Sequence, residues 1–289
     1  TYQGQGMTFY QTILSKLPFD WAQYAFMHHA LVAVLILAPL LAFIGTVVIN
    51  NQMTFFSETI GHATLAGVAI AVLLGVENPL VVVILFSLLL ALFITLVRRL
   101  SPLGSDTTLG ITMSFAVALG VAILSRGGGF SKYQSYLIGD ILTVTPQDNF
   151  GMFFLFLLVF ALGGYFYNAI LLFSLHPTLA RTRGIKVFFL EITMMMLIAT
   201  VVAVALPKVG LLVINALIIL PAACAKNIAG NIPSYLFWAI FIGLLTSVSG
   251  LIASYYGNVA SGAAMVLCQM VVFLVSLLCK RQISGALHQ

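Results

Sequence analysis

The chain has 289 residues, of which 62% are hydrophobic and 7% charged. A soluble domain carries about 25% charged residues, so this composition excludes a water-covered globular protein. The net charge of +5 does not mark a nucleic-acid binder, because the basic residues gather at the ends of apolar runs instead of forming a phosphate-tracking patch.

Residues 1–6 differ in character from the apolar chain beyond them and read as an appended remnant ahead of Met7. The rest, 7–289, reads as one transmembrane domain. Lys16 and Asp20 cancel before the first apolar run, and Trp21 and Tyr24 suit an interfacial helix. A spanning helix needs about 20 mostly apolar residues. The first candidate span is 27–49, with His28 and His29 at one end. The second, 57–76, is short and interrupted by glycines, and Glu77 lies in the turn after it. The third, 79–97, ends on Arg98 and Arg99, and the fourth, 108–125, has Ser105-Asp106 as its cap.

Loop 126–148 carries Arg126, Lys132, Asp140 and Asp148 and is formally neutral. Thr145-Pro146-Gln147-Asp148 then supplies a cap, a proline for the first helical position and an acid, which predicts a helix start ahead of the fifth span, 149–173. A basic stretch with His176, Arg181, Arg183 and Lys186 precedes the sixth span, 189–206. The last three spans are 209–227, broken by Pro221, then 234–254 and 263–279, after which come Lys280 and Arg281. The expected fold is an all-α polytopic integral membrane protein of eight to nine transmembrane helices. The excess of Lys and Arg on the cytoplasmic side puts 98–107, 174–188 and the C-terminus inside, and 126–148 outside.

Of the seven acids, six lie in loops, caps or helix starts. The seventh, Glu58, opens a membrane-entering helix with His62 four residues on. That spacing puts both side chains on one face, one turn apart, where carboxylate and imidazole can share a divalent ion. A charge there costs about 3 kcal/mol on insertion scales, which favours a functional reading. The pair reads either as a metal or proton path, or as an interfacial acid beside a hydrogen-bonded histidine. A zinc site usually takes three or four ligands, so one chain falls short and a two-fold pair of chains would supply four. Gly67, Ala71 and Gly75 form a small-residue stripe off that face.

The stretch Met53-Thr-Phe-Phe-Ser-Glu-Thr-Ile-Gly-His-Ala-Thr-Leu-Ala-Gly67 resembles a signature of the zinc/manganese/iron permease family of bacterial ABC importers, Met-Ser-Phe-x-Gly-Asp-Ala-x-Ser-His-Ala-x-x-Pro-Gly. Three further blocks are similar: Ser105 to Ile111, Ser135 to Leu142, and Leu211 to Ala225. The likeness runs from about residue 24 to 280. The family's aspartate is Glu58 here, its serine Gly61 and its proline Ala66, while the i, i+4 pair is intact.

The resemblance implies a homodimeric permease in the bacterial inner membrane, a cytoplasmic ABC ATPase dimer and an extracytoplasmic metal-binding protein that delivers Zn2+, Mn2+ or Fe2+. It implies metal contact at Glu58 and His62 and no permanently bound cofactor. It also implies ATPase coupling through the segment holding His176, Pro177, Arg181, Arg183, Gly184 and Lys186, whose charges fit positive-inside anchoring equally well.

Asn50, Asn51, Asn215 and Cys224 are further residues that could line a path, with packing or local hydrogen bonding as the plainer role. His28 and His29 are either tolerated interfacial residues or a collecting point at the outer mouth. Ser247 and Ser249 are expected to bond back to their own helix. The three cysteines, Cys224, Cys268 and Cys279, have no C-x-x-C spacing and suggest neither disulfide nor zinc cage. The chain has no H-E-x-x-H, no G-x-S-x-G and no G-x-x-x-x-G-K-[ST], so it is not expected to be an enzyme and any ATPase must be a separate polypeptide. A proton-coupled secondary transporter is the alternative reading.

Overall fold

The computed structural model describes residues 20–76, 78–100, 103–126, 139–175 and 177–286. Residues 1–6, Lys16, Glu77, Lys132, the block residues 135–138 and His176 lie outside the described residues. The helices are α1 (Ala25–Asn50), α2 (Thr54–Leu73), α3 (Pro79–Leu100), α4 (Ser105–Arg126), α5 (Pro146–Leu175), α6 (Pro177–Thr182), α7 (Val187–Val209), α8 (Leu211–Ile228), α9 (Ile232–Gly257) and α10 (Ser261–Ala286). Short 3-10 turns at Asp20–Gln23 and Ile141–Thr143 precede α1 and α5. Among the described residues nine helices, all but α6, are long and apolar enough to cross a membrane.

Boundaries shift where local chemistry overrides a residue's reputation. The helix α7 continues through Pro207 to Val209, and the ladder resumes beyond the proline, with the Gly210 N–H donating to the Leu206 carbonyl at 2.9 Å. It stops at Gly210, whose φ of +88° few L side chains adopt. Helix α8 runs unbroken past Pro221. Helix α2 ends at Leu73, so Gly75 belongs to a turn with φ +66° and nothing within 4 Å of a β-carbon there; the small-residue stripe therefore reduces to Gly67 and Ala71. The α5 start agrees with the sequence: the Asp148 carboxylate accepts from the Thr145 N–H at 3.0 Å and hydroxyl at 2.7 Å, and the Asp148 N–H donates to Thr145 Oγ1 at 3.3 Å. Ser105 and Asp106 fall inside the first turn of α4 instead of ahead of it.

The helices form two groups. In one, α1 packs against α5, α8 and α9, and α10 packs on α8 and α9. In the other, α2 packs between α3 and α4, and α3 lies on α7. Apolar attraction between helices is weak in lipid, so close approach by small residues carries the packing. A β-carbon on Gly45 of α1 would collide with the Ile218 carbonyl of α8, and one on Gly243 of α9 would lie 3.1 Å from Ala42 Cβ. Leu89, Phe115, Phe154, Phe237 and Leu267 are exposed on the outside of the bundle, as side chains in lipid should be.

Side-chain links between distant segments identify the two ends of the bundle. At one end the Asn149 amide donates to the His29 carbonyl at 3.2 Å, and Lys208 Nζ lies 2.7 Å from Asp148 Oδ1. At the other the Asn51 amide donates to Ser174 Oγ at 2.9 Å, and Arg98 pairs with Glu191 at 3.6 Å. Thus α1 and α5 run in parallel, and the basic residues Arg98, Arg99, Arg181 and Lys186 share one end. The positive-inside rule assigns that end to the cytoplasm.

Candidate functional site

Helix α2 is the least apolar of the nine spans, yet 72% of an 18-residue stretch of it is buried inside the bundle. Its polarity is therefore spent among protein neighbours, not against lipid. Most of its polar groups are satisfied locally. Ser57 Oγ donates to the Thr54 carbonyl at 2.9 Å, Thr59 Oγ1 to Phe55 at 2.7 Å and Thr64 Oγ1 to Gly61 at 2.6 Å. Glu58 and His62 are different. Both are half-buried, and neither has a hydrogen-bond or ion-pair partner among the described residues.

The position of α2 is fixed by the turn before it and from three sides. The turn before it, Asn51–Met53, is tied back to α1 by Asn51 Nδ2 donating to the Val47 carbonyl at 2.8 Å and by the Met53 N–H donating to Val48 at 2.9 Å. A β-carbon on Gly61 would collide with Leu211 Cδ1 and lie 3.6 Å from Leu206 Cδ1, so Gly61 seats the helix against the α7–α8 turn. A β-carbon on Gly120 of α4 would lie 2.9 Å from the Ala66 nitrogen, and one on Gly67 would lie 3.0 Å from Val83 Cα of α3. At about 100° per residue, Glu58 and His62 occupy the sector between the Gly61 contact and the Ala66 contact. Further along that sector Leu65 and Ala69 pack on Leu124 of α4. The pair thus lies in the N-terminal half of a closely packed helix, with the same face packed on α4 further along.

Among the described residues no three His, Cys, Asp or Glu side chains come close enough to hold a metal ion. Carboxylate and imidazole donors one turn apart suit manganese and zinc. Two such donors make half of an ordinary coordination sphere.

The remaining sequence-derived residues are scattered. Asn50 lines a separate cavity of about 360 Å³ with Ser174, Lys226 and Tyr235 at the cytoplasmic end. Asn51 holds the α1–α2 turn through its bond to Val47. Asn215 is half-buried on α8 and its Oδ1 has no partner among the described residues. Cys224 is fully buried, with its thiol against Ser276 of α10. His28 is 4% exposed, and its Nε2 bonds the Ala22 carbonyl at 2.6 Å, so it fastens the 3-10 turn to α1. Ser249 bonds back to Thr246 at 3.1 Å as expected, while Ser247 Oγ is buried without a partner.

In the basic segment, α6 ends in a Schellman turn. The Gly184 N–H donates to the Arg181 carbonyl at 3.0 Å and the Ile185 N–H to Ala180 at 3.1 Å, with Gly184 at φ +74°. Arg181, Arg183 and Lys186 are exposed. The contacts that frame Glu58 and His62 from outside α2 are Leu211, which the sequence offered only as the first residue of a similar block, and Gly120, which it did not connect with the pair.

The chain matches the ABC 3 transport family over residues 23–280. It is 32% identical to the manganese transport system membrane protein MntC of Listeria innocua, over 89% of this chain and 91% of that protein. It is 30% identical to the high-affinity zinc uptake system membrane protein ZnuB of Haemophilus influenzae, over 86% of this chain and 95% of that one. The fold superposes with a TM-score of 0.78 on a chain of PsaBC from Streptococcus pneumoniae in complex with Fab, at 31% identity, covering 88% of this chain and 91% of the other.

Proposed function

The chain belongs to the ABC 3 transport family, and from that premise we propose that it is the permease subunit of an ATP-driven importer carrying manganese or zinc through Glu58 and His62. As a family member with nine apolar helices it is a multi-pass protein of the bacterial plasma membrane. One observation carries the reading of the site. The buried, least apolar span holds a carboxylate and an imidazole one turn apart, and neither has a partner among the described residues.

The ion arrives from an external binding protein. The Glu58 carboxylate and the His62 imidazole replace part of its hydration, and a second copy of the chain supplies the other two donors. Shared and incomplete ligation suits a site that must also release its ion. A separate cytoplasmic ATPase drives the change of access through α6 and its glycine turn. Manganese and zinc, the two ions named for the relatives MntC and ZnuB, both accept this donor set.

The test is uptake by liposomes holding this chain, its ATPase and its binding protein. Uptake of manganese or zinc requires ATP and is unchanged when the proton gradient is collapsed. Uptake that needs no ATP and tracks the proton gradient would replace this reading with a proton-coupled carrier.

The α6 turn gives a second expectation. Gly184→Val forces a β-branched side chain into left-handed backbone, at a cost of about 1–2 kcal/mol. Because a β-carbon there meets nothing within 4 Å, the bundle is unaffected. The expected result is less metal moved per ATP hydrolysed, with a melting temperature lowered by no more than about 10 °C. Unchanged transport per ATP would remove the turn from the coupling path.

A further inference from the structure

A cavity of about 450 Å³ opens at the cytoplasmic end between the last turn of α3, the end of α6 and the start of α7. Arg98, Arg99, Arg181 and Lys186 line it, against a single carboxylate, Glu191. That carboxylate offsets only one of the four cations, through its ion pair with Arg98. Arg98 Nη1 lies 3.6 Å from Glu191 Oε1, beyond hydrogen-bond length, and this nitrogen is buried with no hydrogen-bond partner among the described residues. Arg99 is held in place by stacking, its guanidinium carbon 4.4 Å from the centre of the Phe188 ring. Two guanidinium forks are therefore oriented around an open, basic space at the membrane surface.

From this geometry we propose that the cavity binds the phosphate of an anionic phospholipid headgroup. Guanidinium forks match phosphate oxygens, and basic pockets between helices on the cytoplasmic side are suited to anionic lipid. The walls come mainly from the ends of two membrane helices. The flanking apolar side chains Leu96, Leu100 and Phe189 are exposed, so acyl chains attached to the headgroup have lipid-facing surface to lie on. The site shares Arg181 and Lys186 with the α6 segment, so a bound lipid would brace that segment against α3 and α7.

Native mass spectrometry of the permease–ATPase complex, titrated with phosphatidylglycerol or phosphatidylcholine, tests this. Phosphatidylglycerol is expected to remain bound where phosphatidylcholine does not. Removing two of the cations in R98Q/R99Q should weaken that binding on the order of thirtyfold. Glu191→Gln removes the competing carboxylate and should tighten it, a gain that misfolding does not produce. Equal retention of the two lipids would overturn the proposal. So would displacement of the lipid by millimolar inorganic phosphate, which would make this a free-anion site. Binding to the permease alone that disappears once the ATPase is assembled would also overturn it, by giving the cavity to an acidic side chain of that partner.

Discussion

Glu58→Gln and His62→Ala each lower metal uptake by at least about 100-fold, while the permease still assembles with its ATPase. The magnitude comes from metal chemistry: losing a group that merely supports a ligand costs about 10–100-fold, so losing a ligand costs at least that upper figure. The sign of the stability change separates this from a structural role. Neither side chain has a partner among the described residues, so replacing it breaks no bond. Removing a charge from a half-buried membrane helix saves up to about 3 kcal/mol on insertion scales. The Glu58→Gln protein should therefore melt at the same temperature as the native protein or higher, while failing to transport. A melting temperature that falls along with uptake would show that Glu58 serves the fold.

Gly120→Leu prevents stable folding, while Gly110→Leu on the same helix does not. A β-carbon at 120 would lie 2.9 Å from the Ala66 nitrogen and 3.0 Å from Ala66 Cα. Those are backbone atoms, which no rotamer change can move aside. Overpacking against side chains costs about 1–3 kcal/mol, and a backbone clash exceeds it. At 110 a β-carbon meets nothing within 4 Å. Detergent melting curves of the two variants check this, and transport of Gly110→Leu should match native. Because α4 presses α2 through this contact, a folded Gly120→Leu protein would displace the Glu58–His62 helix and lose uptake as well. Equal melting temperatures for the two variants would contradict the packing of α2 against α4.

These two expectations also mark what the sequence made legible. The spans, expected as eight to nine, and the Thr145–Asp148 cap come from hydropathy and capping chemistry, both of which act locally. The i, i+4 pair was visible for the same reason, since helical spacing alone puts Glu58 and His62 on one face. The surroundings of the pair were not visible. That Gly61 meets Leu211 and Ala66 meets Gly120 depends on which helices neighbour α2, and glycines in an apolar run carry no address. Prolines misled in the opposite sense. Pro207 and Pro221 look like helix ends, but α7 and α8 run through them. The sites of Asn50 and Cys224 likewise depend on contacts with distant helices, α5 and α9 for the first and α10 for the second.

Zinc-edge X-ray absorption on the permease–ATPase complex tests the central claim most directly. Native protein should show imidazole nitrogen and carboxylate oxygen around the metal at about 2.0–2.2 Å. In His62→Ala the imidazole signature should disappear. A spectrum unchanged by His62→Ala would mean that the ion binds elsewhere and that the pair on α2 is not its path.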